Sequence, residues 1–201
     1  MITSLNNERV KEVRALQSRR RAREKARRFV VEGVRLVQEA VAAASPVEAV
    51  FYTEDFAASG EGRGLLAALS ALGPDLIPVD GPVMQAMSDT EPPQGLLAVL
   101  PSRALHPPED FRFALVSDAV AEPGNLGTIM RAAAAAAVPL LILASGTVDP
   151  FNPKVVRAAM GAHFRLPVEQ LSWGGIEARL AGRAIFLADT AAGAPYYDID
   201  W

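Results

Sequence analysis

The chain has 201 residues, half of them hydrophobic and 21% charged, with a formal net charge of −3. That length suits one or two compact domains, and the hydrophobic share supports a buried core and excludes an intrinsically disordered chain. Cysteine is absent and the only histidines are His106 and His163, which excludes a disulfide scaffold, a thiolate metal site and a cysteine nucleophile and speaks against a multi-histidine metal centre.

Asn6 or Asn7 caps a first helix, in which Val10, Val13 and Leu16 have helical spacing. The charge is concentrated here. Arg9 to Arg28 holds ten basic and two acidic residues, a local charge of +8, whereas the rest of the chain carries −11. Such a block is an electrostatic footprint for a polyanion. Arginine outnumbers lysine in it, and the planar guanidinium suits phosphate oxygens. Arg19, Arg20, Arg21, Arg23 and Arg27 are the candidate nucleic-acid contacts, with RNA and DNA not separated by charge; the competing reading is a solvated helix face.

Phe29 to Val31 reads as a strand, Glu32-Gly33 as a turn, and Val34 to Ala44 as a helix. Strands are then expected at Val47–Tyr52, Leu76–Val79 and Gly95–Leu100, with helices at Gly64–Leu72 and Val83–Met87. A proline-rich stretch from Pro101 to Asp110 is the linker candidate, with His106 exposed in it. A second alternation follows: strand Phe113–Ser117, helix Asn125–Ala137 with Asn125 as its cap, strand Leu140–Ala144, helix Lys154–Met160, an extended piece Phe164–Val168, helix Ile176–Leu180 and strand Ala184–Ala188. Strands alternating with helices predict mostly parallel α/β sheets in both halves. The stretch Ala132–Val148 is uncharged but interrupted by Pro139 and Gly146, and a span needs about 20 apolar residues. The N-terminus lacks the order of a signal peptide. A soluble cytoplasmic protein with no membrane partner is expected.

Chemistry is expected where the second half runs from strand to helix through Glu122-Pro-Gly-Asn125-Leu-Gly127-Thr-Ile-Met-Arg131. Sites in open α/β sheets lie beyond the carboxyl ends of the strands, and the helix start offers free N–H donors. No Walker sequence, dinucleotide fingerprint or Gly-x-Ser-x-Gly elbow is present. On physical grounds alone Asn125 reads as a helix cap and Arg131 as a surface cation.

That same segment resembles the first signature motif of the SpoU (TrmH-type) RNA ribose 2′-O-methyltransferases. Asn6-Asn7 with Val10-Lys11, Phe29-Val-Val-Glu32-Gly33, Pro93-Gln94-Gly95 and Asn152-Pro-Lys154-Val-Val-Arg157 through Pro167-Val168 resemble further segments of the family, in the same order. The resemblance implies an N-terminal domain of the kink-turn-binding ribosomal-protein type over residues 1–100, a linker over 101–112 and a SPOUT (α/β knot) methyltransferase domain over 113–201. It implies S-adenosylmethionine as cofactor, ribosomal RNA as partner, and Asn125 and Arg131 at the catalytic centre. Glu32, in a matched segment, joins the RNA-contacting set. Pro195 to Trp201 resembles the approach to the family's second motif. The second and third motifs are not in this sequence, so the methyltransferase domain is expected to be partial and the usual knot unformed. Ala188, Asp189 and Thr190 are then what remains of the cofactor pocket, and a homodimer is implied when the C-terminal segment is present. The alternatives are a noncatalytic RNA-binding protein built from the same parts and a small-molecule-binding α/β domain.

Overall fold

The structure, a computed structural model, describes residues 1–188 and 195–198. Helix α1 (Glu8–Ser18) begins at Asn7, whose side chain accepts from the Arg9 N–H. The basic run does not continue as one helix. It breaks at Arg19, which is extended, and resumes as α2 (Arg20–Ala26). Strand β1 (Arg28–Glu32) leads into α3 (Val34–Ala42), β2 (Ala49–Tyr52), α4 (Glu54–Ala58), α5 (Gly60–Leu72), β3 (Asp75–Pro78), α6 (Gly81–Met87) and β4 (Leu96–Pro101).

These strands form one sheet in the order β1-β4-β2-β3. Alternate side chains leave opposite faces of a strand, and the burial follows that period. Val31, Val50, Ala98 and Leu100 pack under α3 and α5 with Leu36, Val37, Leu65 and Leu69. Val30, Phe51, Leu97 and Val99 pack under α1 and α6 with Val10, Val13, Leu16, Met84 and Met87. The expectation of a mostly parallel sheet fails in this half. β4 runs antiparallel to both β1 and β2, and only β2 and β3 are parallel. Hydrophobic periodicity marks a strand but not the direction in which it pairs.

Residues 102 to 114 contain no helix or strand, and His106 is exposed. Pro101, expected in the linker, closes β4 opposite Arg28. The second half contains β5 (Leu115–Ser117), α7 (Pro123–Ala135), β6 (Leu141–Ala144), α8 (Pro153–Ala159), β7 (Val168–Leu171) and α9 (Trp173–Arg179). Its sheet, β5-β6-β7, is parallel as expected. Leu141 and Leu143 face α7 and α8, while Leu140, Ile142 and Ala144 face α9 and Phe111. Two expected elements differ. Residues 162–164 form a 3₁₀ turn, and the strand starts only at Val168. Ala184 to Ala188 is not a strand: Ile185 and Leu187 are 72% and 85% exposed. An apolar run becomes a strand only where a neighbouring strand pairs with it in a ladder, and neither sheet of the described residues includes this run.

Candidate active site and nucleic-acid interface

Helix α7 starts two residues earlier than expected. Glu122 is its cap position and Pro123 its first residue, a place where the fixed φ of proline fits and its missing N–H costs nothing. Asn125 is therefore not the cap but stands in the first turn, with its side chain exposed. Arg131 is exposed six residues on, about 9 Å along the axis and about 120° around it. Thr128 lies between them and donates to the Gly124 carbonyl at 2.9 Å. The opposite side of the helix buries Leu126, Gly127, Met130 and Ala133. Gly127 allows the close approach of α8, because a Cβ built on it would lie 2.4 Å from Ala158 Cβ.

The loops at the carboxyl ends of β5 and β6 are tied together below this helix start. Thr147 Oγ1 donates to the Ser117 carbonyl at 3.3 Å, and the Val148 N–H to the Val120 carbonyl at 2.9 Å. Asp149 follows immediately. Its Oδ1 accepts from the Phe151 N–H at 2.9 Å, and Asn152 then caps α8 by accepting from the Lys154 N–H.

In the basic segment, Arg19, Arg20, Arg21 and Arg27 are exposed, Arg20 in a surface ion pair with Glu24. Such a pair, between side chains more than half exposed, holds little against solvent. Arg23 departs from the expectation. Its side chain is 6% exposed, and the guanidinium is bound to Asp149 and to the Leu16 carbonyl. Arg23 is the buried residue of α2, and the face of a helix that meets the rest of the protein is not marked by local charge. Arg28 is also committed within the protein: Glu12 and Glu48 bind its guanidinium, and the hydrogen bond it donates to Glu12 leads in raising its pKa.

Glu32 departs as well. It is buried, and its carboxylate accepts from Ser88 Oγ, Thr90 Oγ1 and the Asp89 N–H. It pins the loop before β4 rather than facing a ligand. Of the three cofactor candidates, Ala188 is exposed and lies in no strand, and Asp189 and Thr190 lie outside the described residues. Among the described residues, that set closes no pocket.

Two cavities of about 180 and 220 Å³ lie under the linker and share Arg103, Leu105, Phe151 and His163 in their walls. Neither is lined by Asn125 or Arg131. His163 Nε2 donates to the Pro150 carbonyl at 2.7 Å, and its ring lies against Phe29 and Phe151. Nδ1 is buried with no partner among the described residues. Desolvation lowers the imidazole pKa, opposed by the Pro150 hydrogen bond and the charge of Asp149. This is a packed structural histidine.

The residues that sequence reasoning missed are Asp149, Thr147 and Asp89. Asp149 had a signal, an acidic residue just before the Pro150 to Asn152 helix entry, but its partner is 126 positions away.

A model of the MRM3-like substrate binding domain matches residues 7–98, and one of the SpoU rRNA Methylase family matches residues 112–201. The 23S rRNA (guanosine(2553)-2′-O)-methyltransferase RlmP of Bacillus subtilis is 31% identical, over 98% of this chain and 77% of that protein. The mitochondrial rRNA methyltransferase 3A of Danio rerio is 35% identical over 88% of this chain, but the match spans only 42% of that protein. The SpoU methyltransferase AviRb of Streptomyces viridochromogenes, solved with AdoMet, superposes with a TM-score of 0.77 at 27% identity, over 87% of this chain and 67% of that one. The AdoMet-bound rRNA methyltransferase of Sinorhizobium meliloti gives 0.73 at 31% identity, over 89% and 66%. With this identity running the length of both halves, the chain belongs to the SpoU rRNA methylase family.

Proposed function

We propose that this protein takes part in S-adenosylmethionine-dependent methylation of a ribose 2′-hydroxyl in ribosomal RNA, binding the RNA with its first half. The observation that carries the reading is the exposed Asn125 and Arg131 on α7, launched from the carboxyl end of a parallel sheet, in a chain of this family. Arg131 acts as a clamp. A guanidinium holds its proton too tightly to serve well as a base. At the phosphate beside the target ribose it holds the 2′-oxygen in line and stabilises developing negative charge. Asn125 supports it by hydrogen bonding to substrate. The cofactor, when bound, supplies the methyl group, with Ala188, Asp189 and Thr190 proposed at its edge.

The division into residues 1–100, 101–112 and 113–201 belongs to the same reading. It is supported by two sheets that share no strand and by family matches that stop at residue 98 and resume at 112. A homodimer and a cytoplasmic site of action are also proposed, on the family resemblance. No helix among the described residues is long and apolar enough to cross a membrane.

The test is RNA binding measured across salt, with methyl incorporation into ribosomal RNA measured alongside. Replacing Arg19, Arg20, Arg21 and Arg27 by Gln weakens RNA affinity and flattens the salt slope with the fold unchanged, because phosphate contacts release counterions. An unaltered slope removes the basis for an RNA-binding α2. Salt-dependent binding with no methyl incorporation favours the noncatalytic RNA-binding alternative.

A further inference from the structure

Arg23 stands in the most basic stretch of the chain, yet its guanidinium crosses the boundary between the two halves. Nε and Nη2 donate to Asp149 Oδ2 at 2.8 and 2.6 Å, and Nη1 donates to the Leu16 carbonyl at 2.6 Å. The two charged side chains are 6% and 10% exposed. Desolvation offsets much of the attraction in such a buried pair, so its stronger contribution is directional: each charge has one place where it is satisfied. The other ion pairs described across the halves, Arg157–Asp89 and Arg165–Glu39, are about a third to a half exposed, and solvent leaves them little hold.

Asp149 is also where the second half is organised. On one side its Oδ1 shapes the turn that leads to the cap of α8. On the other, the neighbouring Val148 N–H holds the Val120 carbonyl, in the loop that launches α7. Arg23 is thus joined through the Asp149 carboxylate to the turn before α8, through the adjacent Val148 backbone to the loop before α7, and through Leu16 to the end of α1.

We infer that Arg23 is a positioning residue for methyl transfer. By holding Asp149, it fixes the placement of Asn125 and Arg131 relative to the exposed Arg19, Arg20, Arg21 and Arg27. RNA gripped by its phosphates on the first half then presents its ribose to α7. This rests on the RNA-methylation reading above and adds to it a cation that orients the RNA-binding surface without touching RNA.

The chain has no cysteine, so Ser70→Cys and Ala178→Cys, both at exposed positions, place one spin label in each half. In the full chain, Arg23→Met and Asp149→Asn each broaden the inter-label distance distribution. Each lowers kcat about tenfold or more, since a small displacement of reacting groups is enough to do so. RNA affinity stays within about twofold and its salt slope is unchanged, in contrast to the exposed arginines. Asp149→Asn is isosteric and carries the test if Arg23→Met fails to fold. A salt slope reduced by about one unit in Arg23→Met, with an unchanged distance distribution, makes Arg23 a phosphate contact and overturns the inference. Unchanged distances together with unchanged kcat overturn it as well. If the unsubstituted protein neither binds RNA nor transfers methyl, the functional reading fails on its own, and the label distances still decide whether Arg23 sets the joint.

Discussion

Arg131 and Arg23 are the same residue type in one chain, and their surroundings separate them. Arg131 is exposed beside a row of alanines, whereas Arg23 is buried against a carboxylate and a carbonyl. Only the first is available to a phosphate. Arg131→Ala is expected to abolish turnover while S-adenosylmethionine affinity stays within about threefold, because the lost interaction belongs to the transition state rather than to cofactor binding. Calorimetric titration beside a methylation assay checks this, and a tenfold or greater loss of cofactor affinity would contradict it. Glu32 makes the same point in reverse. Its segment's resemblance to the family put it among the RNA contacts, yet its three donors come from Ser88, Asp89 and Thr90, and a carboxylate so occupied has little left to offer.

Among the elements, α7 and α8 form the unit that presents the candidate site. Their contact depends on Gly127, where an added Cβ would meet the Ala158 side chain at 2.4 Å and backbone atoms of Ala158 and Ala159 at 3.0 Å. Backbone cannot move aside as a flexible side chain can. Gly127→Ala is therefore expected to cost about 1–3 kcal/mol, as overpacking of a close-fitted core does. Urea denaturation measures it directly, and a variant as stable as the parent would mean that the helices do not meet at this point. Of the alanine run that follows Arg131, only Ala133 is buried in the core. Much of the rest faces outward, a distribution that depends on where the neighbouring helix lies.

In the whole molecule, the two halves meet through Arg23 and Asp149, through Phe29 against Phe151 and His163, and through Val156 of α8, which packs with the core of the first half. His163 gives this boundary a pH dependence. Burial lowers its folded pKa below the ordinary 6.5, so the unfolded chain binds the proton more readily. The contribution to stability is complete above about pH 6.5 and is lost as the pH falls below it toward the lowered folded value. Melting temperatures measured from about pH 8 to about pH 5 should decline across that window in the parent and decline less in His163→Phe. Parallel decline in both would assign the effect to other groups.

The sequence by itself determined most of the elements, the two faces of each sheet and the family. Alternation at period two and helical spacing reflect local geometry that survives any packing, as Val30 and Val31 on opposite faces of β1 show. Asn125 and Arg131 fall on one helix, as read from the sequence, because their spacing is local. The tertiary structure alone decided the direction of β4, the irregular state of Ala184 to Ala188 and the inward turn of Arg23. For β4 and Arg23 the deciding partner lies far along the chain. Strand direction, ladder pairing and the neutralisation of a buried charge are settled by what the folded chain brings alongside, and local sequence does not contain that.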